Sequence, residues 1–317
     1  MKICHVDPAC GLDIPPKNWG AIEKIIWEFE TNQRALGHQS THKLAGHINP
    51  GEYDIVHCHV ANLAIELKNR GIPYIYQIHD HHVWYYGKDS HTYKENLEAI
   101  DGSLVSLMPA KWLVEYFNHP KCLYFAHGVN NNEFYPLIKN KPKPTEPKLL
   151  MLANNGMGGK NGHDRKGFAY GIGLAMGRSL PITIVGPRNN ENWFNENLWA
   201  FNYSKLKIVW EPDNKTLRRI YHEHDIFLHP SELEAGHPNL TLLEAAACGL
   251  PIVGWIEMET DFLGMWRAPR NVFRMSEGID DILNRWDDYT SAAIQTGKNY
   301  SWYNRTIELM EIYKKVL

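Results

Sequence analysis

Apolar and polar residues follow two alternating patterns along this chain: short apolar runs of strand length, and longer segments in which apolar residues recur at helical spacing. The first run covers residues 2–6, and the segment after it places apolar side chains at helical spacing from Ile22 to Phe29. Strands that alternate with such helices are typical of βαβ units on a mostly parallel sheet. We therefore predict an α/β fold that starts with a β-loop-α unit.

Four further strands are predicted for the first sheet. They lie at residues 54–57, 74–78, 103–106 and 123–126, and the first three end at polar residues. In an open parallel sheet, ligands bind outside the carboxyl ends of the strands. The polar residues at these ends are therefore expected to line a ligand site.

A run rich in proline and lysine, residues 139–148, has no apolar period and interrupts this pattern. Such a composition is typical of a linker. The pattern restarts at residues 149–153 and continues as a second doubly wound sheet. Because 317 residues exceed what one α/β core usually holds, we predict two domains, residues 1–138 and 148–299, joined by a linker at 139–147.

Composition argues against several classes of protein. The five cysteines are scattered and include no Cys-x-x-Cys pair, which argues against a disulfide framework and a cysteine zinc site. The formal charge of −3 provides no global basic field for nucleic acid, although a local patch would fit within it. Asp7 precedes any signal-peptide core, and the most apolar stretch, residues 240–256, is broken by Glu244 and Gly249. These features predict a cytoplasmic protein without a transmembrane segment.

The most informative segment covers residues 225–253. A predicted strand leads into a loop that contains Glu234, and a helix then begins near Asn239 and Leu240. The first N–H groups of a helix have no partner within it and carry a partial positive charge, which suits a diphosphate. Glu244 lies about one turn inside this helix, and an ionised carboxylate there can accept both hydroxyls of a ribose.

This segment resembles the hallmark of the retaining glycosyltransferases of family 4, whose fold is called GT-B. That hallmark is an aspartate before an aliphatic strand, a Pro-Ser pair, a glutamate, and a second glutamate in a Glu-Ala-x-Ala-x-Gly-x-Pro helix and turn. The resemblance implies that Glu234 contacts the donor sugar and Glu244 the ribose. It also implies two Rossmann-like domains that face a central cleft. Nine residues separate the two glutamates here, where the family usually has seven.

A glycine-rich segment, residues 154–167, lies between a predicted strand and a predicted helix. Glycines allow the backbone to approach a ligand closely, and neighbouring cations can neutralise a departing diphosphate. The family carries a Lys-Gly pair here, which Lys166 matches, and an arginine five residues earlier, which this chain lacks. Arg165 or Lys160 would take the place of that arginine. Gly158, Gly159 and Lys160 are predicted donor-binding residues, and Arg165 and Lys166 predicted catalytic residues.

Landmarks of the same family occur in the first predicted domain. Residues 15–23 resemble its glycine loop after the first strand, although only Gly20 of the usual glycine pair is present. The resemblance implies that this loop, with Asn18 and Gly20, lies beside the donor phosphates. It also implies that His79, at the end of a predicted strand, contacts the donor. Residues 300–317 resemble the C-terminal helix that crosses back to complete the first domain.

Histidines in the first half of the chain offer a second interpretation. The candidates for metal ligands in a hydrolase are His57, His59, His79, His81 and His82 with Asp80. In the competing interpretation, His79 serves the donor and the others pack or face solvent. The sequence contains no Asp-x-Asp, the metal-binding motif of the other glycosyltransferase fold, so cationic side chains would replace the metal. We predict a metal-independent enzyme that uses no cofactor, with the nucleotide sugar as co-substrate.

The resemblance implies a retaining transfer of a sugar from a nucleotide-diphosphate donor to an acceptor hydroxyl. The acceptor stays open: a glycan, a lipid-linked sugar, or a hydroxylated base in viral DNA. A glycoside hydrolase, which would use Glu234 and Glu244 as paired carboxylates, is an alternative of another class. A non-catalytic protein that only binds the nucleotide sugar is a further alternative. A phosphorylase-like or epimerase activity on the same fold is another, because a fold does not fix a function.

Overall fold

The computed structural model divides the chain into two compact units. Unit 1 comprises residues 1–128 and 301–317, and unit 2 comprises residues 129–300. The residues described are 1–9, 11–17, 20–79, 82–138, 141–153, 164–186, 202–232, 238–255 and 261–317.

Part of the predicted linker packs within unit 2. Lys141 forms an ion pair with Asp225 at 2.8 Å, and the indole N–H of Trp286 donates to the Lys141 carbonyl at 2.7 Å. Just before the linker, the buried Phe134 packs edge-on against Tyr221, with ring centroids 5.6 Å apart. These contacts hold both segments on unit 2, which begins at residue 129. The proline and lysine content of the linker does not reveal such contacts.

Unit 1 is built on a six-stranded parallel sheet. Its strands are β1 (Lys2–Val6), β2 (Gln39–Lys43), β3 (Ile55–Cys58), β4 (Ile75–Gln77), β5 (Ser106–Met108) and β6 (Cys122–Tyr124). Their order across the sheet is β2-β1-β3-β4-β5-β6, so the direction of winding reverses between β1 and β3. In doubly wound folds, ligands bind outside the carboxyl ends of the strands at this reversal.

Helices connect the strands of unit 1. They are α1 (Ala21–Ala35), α2 (Ala61–Asn69), α3 (His82–Tyr86), α4 (His91–Gly102) and α5 (Lys111–Phe117). α1 buries Ile25, Ile26 and Phe29, as their helical spacing predicts. The Phe29 ring stacks on the ring of His5 in β1, with the centroids 5.7 Å apart. This contact holds the helix on the sheet.

Two strands of unit 1 differ from the prediction. β2 was not predicted, because Gln39–Lys43 contains no apolar residue; it forms by parallel pairing with β1 at the edge of the sheet. β5 lies at Ser106–Met108 rather than at residues 103–106. Apolar pairs stand on both sides of Ser106, and pairing with β4 and β6 selects the segment from Ser106 onward.

Unit 2 contains a second six-stranded parallel sheet. The strands are β7 (Leu149–Leu152), β8 (Ile182–Gly186), β9 (Leu206–Trp210), β10 (Ile226–His229), β11 (Ile252–Gly254) and β12 (Met265–Arg267). The helices are α6 (Phe168–Arg178), α7 (Asn214–Glu223), α8 (Leu240–Ala247), α9 (Val272–Asn284) and α10 (Trp286–Asn299). The order β12-β11-β10-β7-β8-β9 puts the reversal between β7 and β10. Two Rossmann-like doubly wound units are thereby confirmed, with β12 not predicted.

The C-terminal helix α11 (Trp302–Val316) packs on unit 1, as predicted. Trp302 packs edge-on against Phe29, with the two ring centroids 5.1 Å apart. A Cβ on Gly128 would lie 2.6 Å from the Trp302 ring. Tyr313 is fully buried, and its hydroxyl forms a hydrogen bond with His57 Nδ1 at 2.6 Å. In the described part of the chain, we find no helix with both the length and the apolar character that spanning a bilayer requires.

Candidate functional site

In unit 2, the loop that leads into α6 is shaped by Asp164. One carboxylate oxygen of Asp164 accepts the N–H of Gly167 at 2.8 Å, and the other accepts the N–H of Ala169 at 2.8 Å. The carboxylate thus satisfies N–H groups at the start of α6 and complements the positive end of the helix. Arg165 and Lys166, both half-buried, lie between these anchor points.

Gly167 joins this loop to the segment that follows β10. Its φ of +76° falls in the left-handed region, and a Cβ would lie 2.5 Å from the carbonyl oxygen of Pro230. Next to this contact, the N–H of Glu232 donates to the Arg165 carbonyl at 2.9 Å. The Lys-Gly pair recognised in the sequence therefore has a local reason: only glycine allows the two loops to touch.

Arg270 connects the same two loops from a third element of the chain. Its guanidinium donates to the Glu232 carboxylate and to the Asp164 carbonyl, and it lies 4.8 Å from the Tyr170 ring centroid. The Arg270 side chain is only 8% exposed. A forked, rigid cation suits this task, because it can bind two acceptors at once.

Helix α8 begins beside these loops. The Asn239 side chain caps it by accepting the N–H of Leu242 at 3.1 Å and the hydroxyl of Thr241 at 2.9 Å. Asn239 Nδ2 lies 3.4 Å from Nε2 of His229, the last residue of β10. The structure thus brings the predicted residues Arg165, Lys166, Asn239 and Leu240 to the carboxyl edge where β7 and β10 adjoin.

Glu244 lies inside α8 and is buried. The Tyr221 hydroxyl donates to its carboxylate at 3.0 Å. Burial, and then the negative charge of Glu244, raise the pKa of Tyr221 well above its ordinary value, so the phenol keeps its proton. The sequence did not point to Tyr221, because its partner lies on another helix.

The predicted residues of unit 1 lie on other elements. Gly20 precedes α1 with a φ of +149°, and a Cβ there would lie 2.8 Å from the Glu23 carboxylate and 3.0 Å from Pro16. His79 follows β4, and both of its ring nitrogens contact other histidines: Nε2 lies 2.9 Å from His59 Nδ1 and Nδ1 lies 3.0 Å from His127 Nε2.

Five predicted site residues fall outside the described part of the chain. They are Asn18, Gly158, Gly159, Lys160 and Glu234. Of the proposed metal-binding histidines, His81 lies outside it as well, together with Asp80.

Three buried histidines lie close enough together to be considered as a metal site. His5, His57 and His59 each place a ring nitrogen within 4.8 Å of the others. However, the rings of His57 and His59 stack 4.3 Å apart with their planes 24° from parallel, and ring lone pairs lie in the ring plane. His5 Nδ1 contacts His59 Nε2 at 3.0 Å. This arrangement fits hydrogen-bonded imidazoles better than three nitrogens that converge on one ion.

Besides Tyr221, three residues important to these sites were missed in the sequence. Asp164 carries a recognisable signal, because an aspartate a few residues before a helix is a common N-terminal cap. Arg270 and His5 carry none, since each acts on residues that are distant in the sequence.

Comparison with known proteins places this geometry in context. Residues 174–260 match the family model described as glycosyl transferases group 1. This segment includes β10 and α8, and therefore Asn239 and Glu244. None of the curated protein sequences compared with the chain is significantly similar to it.

Solved structures resemble the chain over nearly its whole length. Sucrose-phosphate synthase from Thermosynechococcus elongatus has a TM-score of 0.78 at 13% identity, covering 99% of this chain and 98% of that one. A glycosyltransferase from Rickettsia africae has a TM-score of 0.72 at 16% identity, with 99% and 98% covered. HepE from Anabaena, in complex with UDP-glucose, has a TM-score of 0.72 at 12% identity, with 99% and 100% covered. The fold is GT-B.

At these identities the likeness establishes the GT-B fold alone. The match to the group 1 family model covers residues 174–260, and HepE was solved with UDP and with UDP-glucose. The loop that contains Arg165 and Lys166, the start of α8 and the matched segment all lie in unit 2.

Proposed function

We propose that this protein is a retaining glycosyltransferase that moves a sugar from a nucleotide-diphosphate donor to an acceptor hydroxyl without a metal. One observation carries the proposal. The loop with Arg165 and Lys166 is held against the segment after β10, beside the capped start of α8, where the winding of the second sheet reverses. A diphosphate is the ligand class that suits two cations and a helix N-terminus at such a site.

The chemistry follows from where charge develops. When the bond between the sugar and the diphosphate breaks, negative charge accumulates on the leaving oxygen. Arg165 and Lys166 are half-buried and lie in the loop whose backbone Asp164 holds, and their cations would stabilise that charge. An oxygen of the leaving phosphate would take the proton of the acceptor hydroxyl from the same face, which retains the configuration.

The remaining roles rest on the family resemblance. Glu244 would accept the ribose hydroxyls, with the Tyr221 phenol holding its carboxylate in place. Glu234 would contact the donor sugar. In unit 1, His79 would contact the donor, and Asn18 and Gly20 would lie beside its phosphates.

A thermal-shift screen against nucleotide sugars tests donor binding. A ligand that binds only the folded state adds about 2.7 kcal/mol to the free energy of unfolding at a hundredfold excess over its Kd. The unfolding midpoint therefore rises. We expect a shift with one nucleotide-diphosphate sugar and a smaller shift with the same compound in a Lys166→Ala variant. Lys215→Ala, which removes an exposed lysine from α7 of the same unit, is the matched control and should shift like the wild type.

The reaction products separate the alternatives. Release of the nucleoside diphosphate together with a glycosylated acceptor supports the transferase. Sugar release from a simple glycoside without any nucleotide would instead indicate a hydrolase. Donor binding without turnover against a broad acceptor panel would indicate a non-catalytic binder.

A further inference from the structure

A continuous series of hydrogen-bonded imidazoles runs along the carboxyl edge of the first sheet. The contacts join Gln33 Oε1 to His5 Nε2 (3.0 Å), His5 Nδ1 to His59 Nε2 (3.0 Å), His59 Nδ1 to His79 Nε2 (2.9 Å) and His79 Nδ1 to His127 Nε2 (3.0 Å). We call His5, His59, His79 and His127 the histidine series. Because β1, β3 and β4 are neighbours in the sheet, they bring the first three members side by side.

The rings are oriented for hydrogen bonding. Successive centroids lie 5.3, 5.1 and 5.2 Å apart, and successive planes differ by only 19°, 25° and 24°. Nearly coplanar rings at this spacing, with nitrogens about 3 Å apart, point their N–H groups and lone pairs along the series. Each contact therefore has one donor and one acceptor.

His5 and His59 are neutral at neutral pH. Burial lowers the pKa of His5 to about 4, and burial followed by the neighbouring histidines lowers the pKa of His59 well below its ordinary value. A neutral imidazole carries one N–H and one lone pair. A series of neutral rings then has two consistent states, with the proton on Nε2 of every ring or on Nδ1 of every ring.

Gln33 selects between these two states. Its carbonyl Oε1 can only accept, and it receives the Ser40 hydroxyl at 2.6 Å as well as His5 Nε2. With the carbonyl facing His5, Nε2 of His5 must carry the proton, and every later ring must follow.

We propose that Gln33 is a positioning residue for His79, and that it holds His79 in the Nε2–H tautomer through His5 and His59. His79 is the half-buried member of the series, whereas the other three are at most 3% exposed. His79 is thus the member of the series whose ring a ligand can reach, while His59 and His127 hold its two nitrogens. The catalytic meaning rests on the proposed function, because it assumes that His79 contacts the donor; the tautomer itself does not depend on it.

The tautomer can be measured directly in the full-length protein. Histidine labelled with ¹⁵N, observed in long-range ¹H–¹⁵N correlation spectra, shows which ring nitrogen carries the proton, and a His79→Gln variant assigns the signal. We expect Nε2–H for His79 in the wild type and in Gln33→Glu, which keeps an acceptor oxygen. In Gln33→Met, which removes the acceptor, we expect His79 to become a mixture of tautomers.

A matched control removes a different buried glutamine of the same unit. Gln77 in β4 is fully buried and lies outside the series, so Gln77→Met should leave the His79 spectrum unchanged. Circular dichroism and the unfolding midpoint verify that both variants fold. If His79 carries its proton on Nδ1 in the wild type, or keeps a single Nε2–H tautomer in Gln33→Met, the proposal is overturned.

Kinetics distinguish this proposal from the proposed function. We expect Gln33→Met to lower the kcat for nucleoside diphosphate release about tenfold with the donor KM unchanged, and Gln33→Glu to restore it. A wild-type protein that shows the Nε2–H tautomer but no transfer would contradict the proposed function and leave the tautomer assignment standing. Equal kcat values in Gln33→Met and Gln77→Met would contradict the catalytic meaning.

Discussion

The carboxyl edges of the two sheets hold their polar groups in opposite ways. In unit 1 the edge carries neutral imidazoles that hydrogen-bond to one another, with the buried Gln33 at one end. In unit 2 the edge carries charged groups, and Arg270 ties the Asp164 loop to Glu232. The same parallel topology therefore supports either a neutral network or a set of ion pairs.

The difference shows how each edge responds to its surroundings. Neutral histidines in a core are sensitive to acid, because protonation places a charge in a medium of low dielectric. The ion pairs depend on both partners being present, since removing one leaves a poorly solvated charge. Four predictions, from the largest expected effect to the smallest, test whether the two edges differ in this way.

Acid should weaken unit 1 through its histidines. Burial lowers the pKa of His5 from 6.5 to about 4, so between these values the unfolded chain binds more protons and stability falls as the pH falls. His5 alone corresponds to about 3 kcal/mol, and His57 and His59, whose pKa values burial also lowers, add to it. Urea unfolding from neutral pH to about pH 4 measures this loss.

A pair of variants assigns the acid effect. His5→Gln removes one buried ring and should reduce the pH dependence, whereas His91→Gln removes an exposed ring and should not. Equal pH dependence in both variants would show that the buried imidazoles are not the cause.

Loss of a loop cation should slow the reaction strongly. Lys166→Ala should lower the kcat for nucleoside diphosphate release by about 10²- to 10³-fold, because one preorganised contact to the developing charge disappears. Lys215→Ala, on the exposed face of α7, should retain the wild-type rate. A full rate in Lys166→Ala would remove this loop from the mechanism.

Breaking the connection between the two loops should destabilise unit 2. The Arg270 side chain is 8% exposed and that of its partner Glu232 is 35% exposed, so we expect Arg270→Met to lower the free energy of unfolding by about 2 kcal/mol. Arg274→Met, which removes an exposed ion pair with Glu277, should lower it by less than about 1 kcal/mol. Urea unfolding compares the two, and similar losses would contradict the special role of Arg270.

The hydrogen bond to Glu244 should have a smaller effect. Tyr221→Phe removes the donor to a buried carboxylate, and we expect a loss of about 1.5 kcal/mol of stability. Tyr203→Phe removes a phenol that donates to the carbonyls of Leu180 and Ala175, which are neutral acceptors, so its loss should be closer to about 1 kcal/mol. A larger loss in Tyr203→Phe would contradict this ranking of the two hydrogen bonds.

The sequence predicted most of the fold, because apolar runs and helical spacing report directly on burial. β1 has the predicted bounds, α8 begins at the predicted Leu240, and α6 begins at Phe168, directly after the glycine-rich segment that ends at residue 167. The sequence did not predict the polar strand β2 or the position of β5. Both depend on which neighbouring strand supplies the pairing, and no single segment contains that information.

By itself, the sequence determined the local chemistry of the candidate site: the Lys-Gly pair, the asparagine that starts α8, and the glutamate one turn later. These features act within a few residues, so their spacing is sufficient. The tertiary structure decided what secures them. Arg270 reaches a loop 106 residues earlier, and the histidine series joins β1, β3, β4 and the segment after β6. Only the folding of the chain into parallel sheets brings these partners within hydrogen-bonding distance.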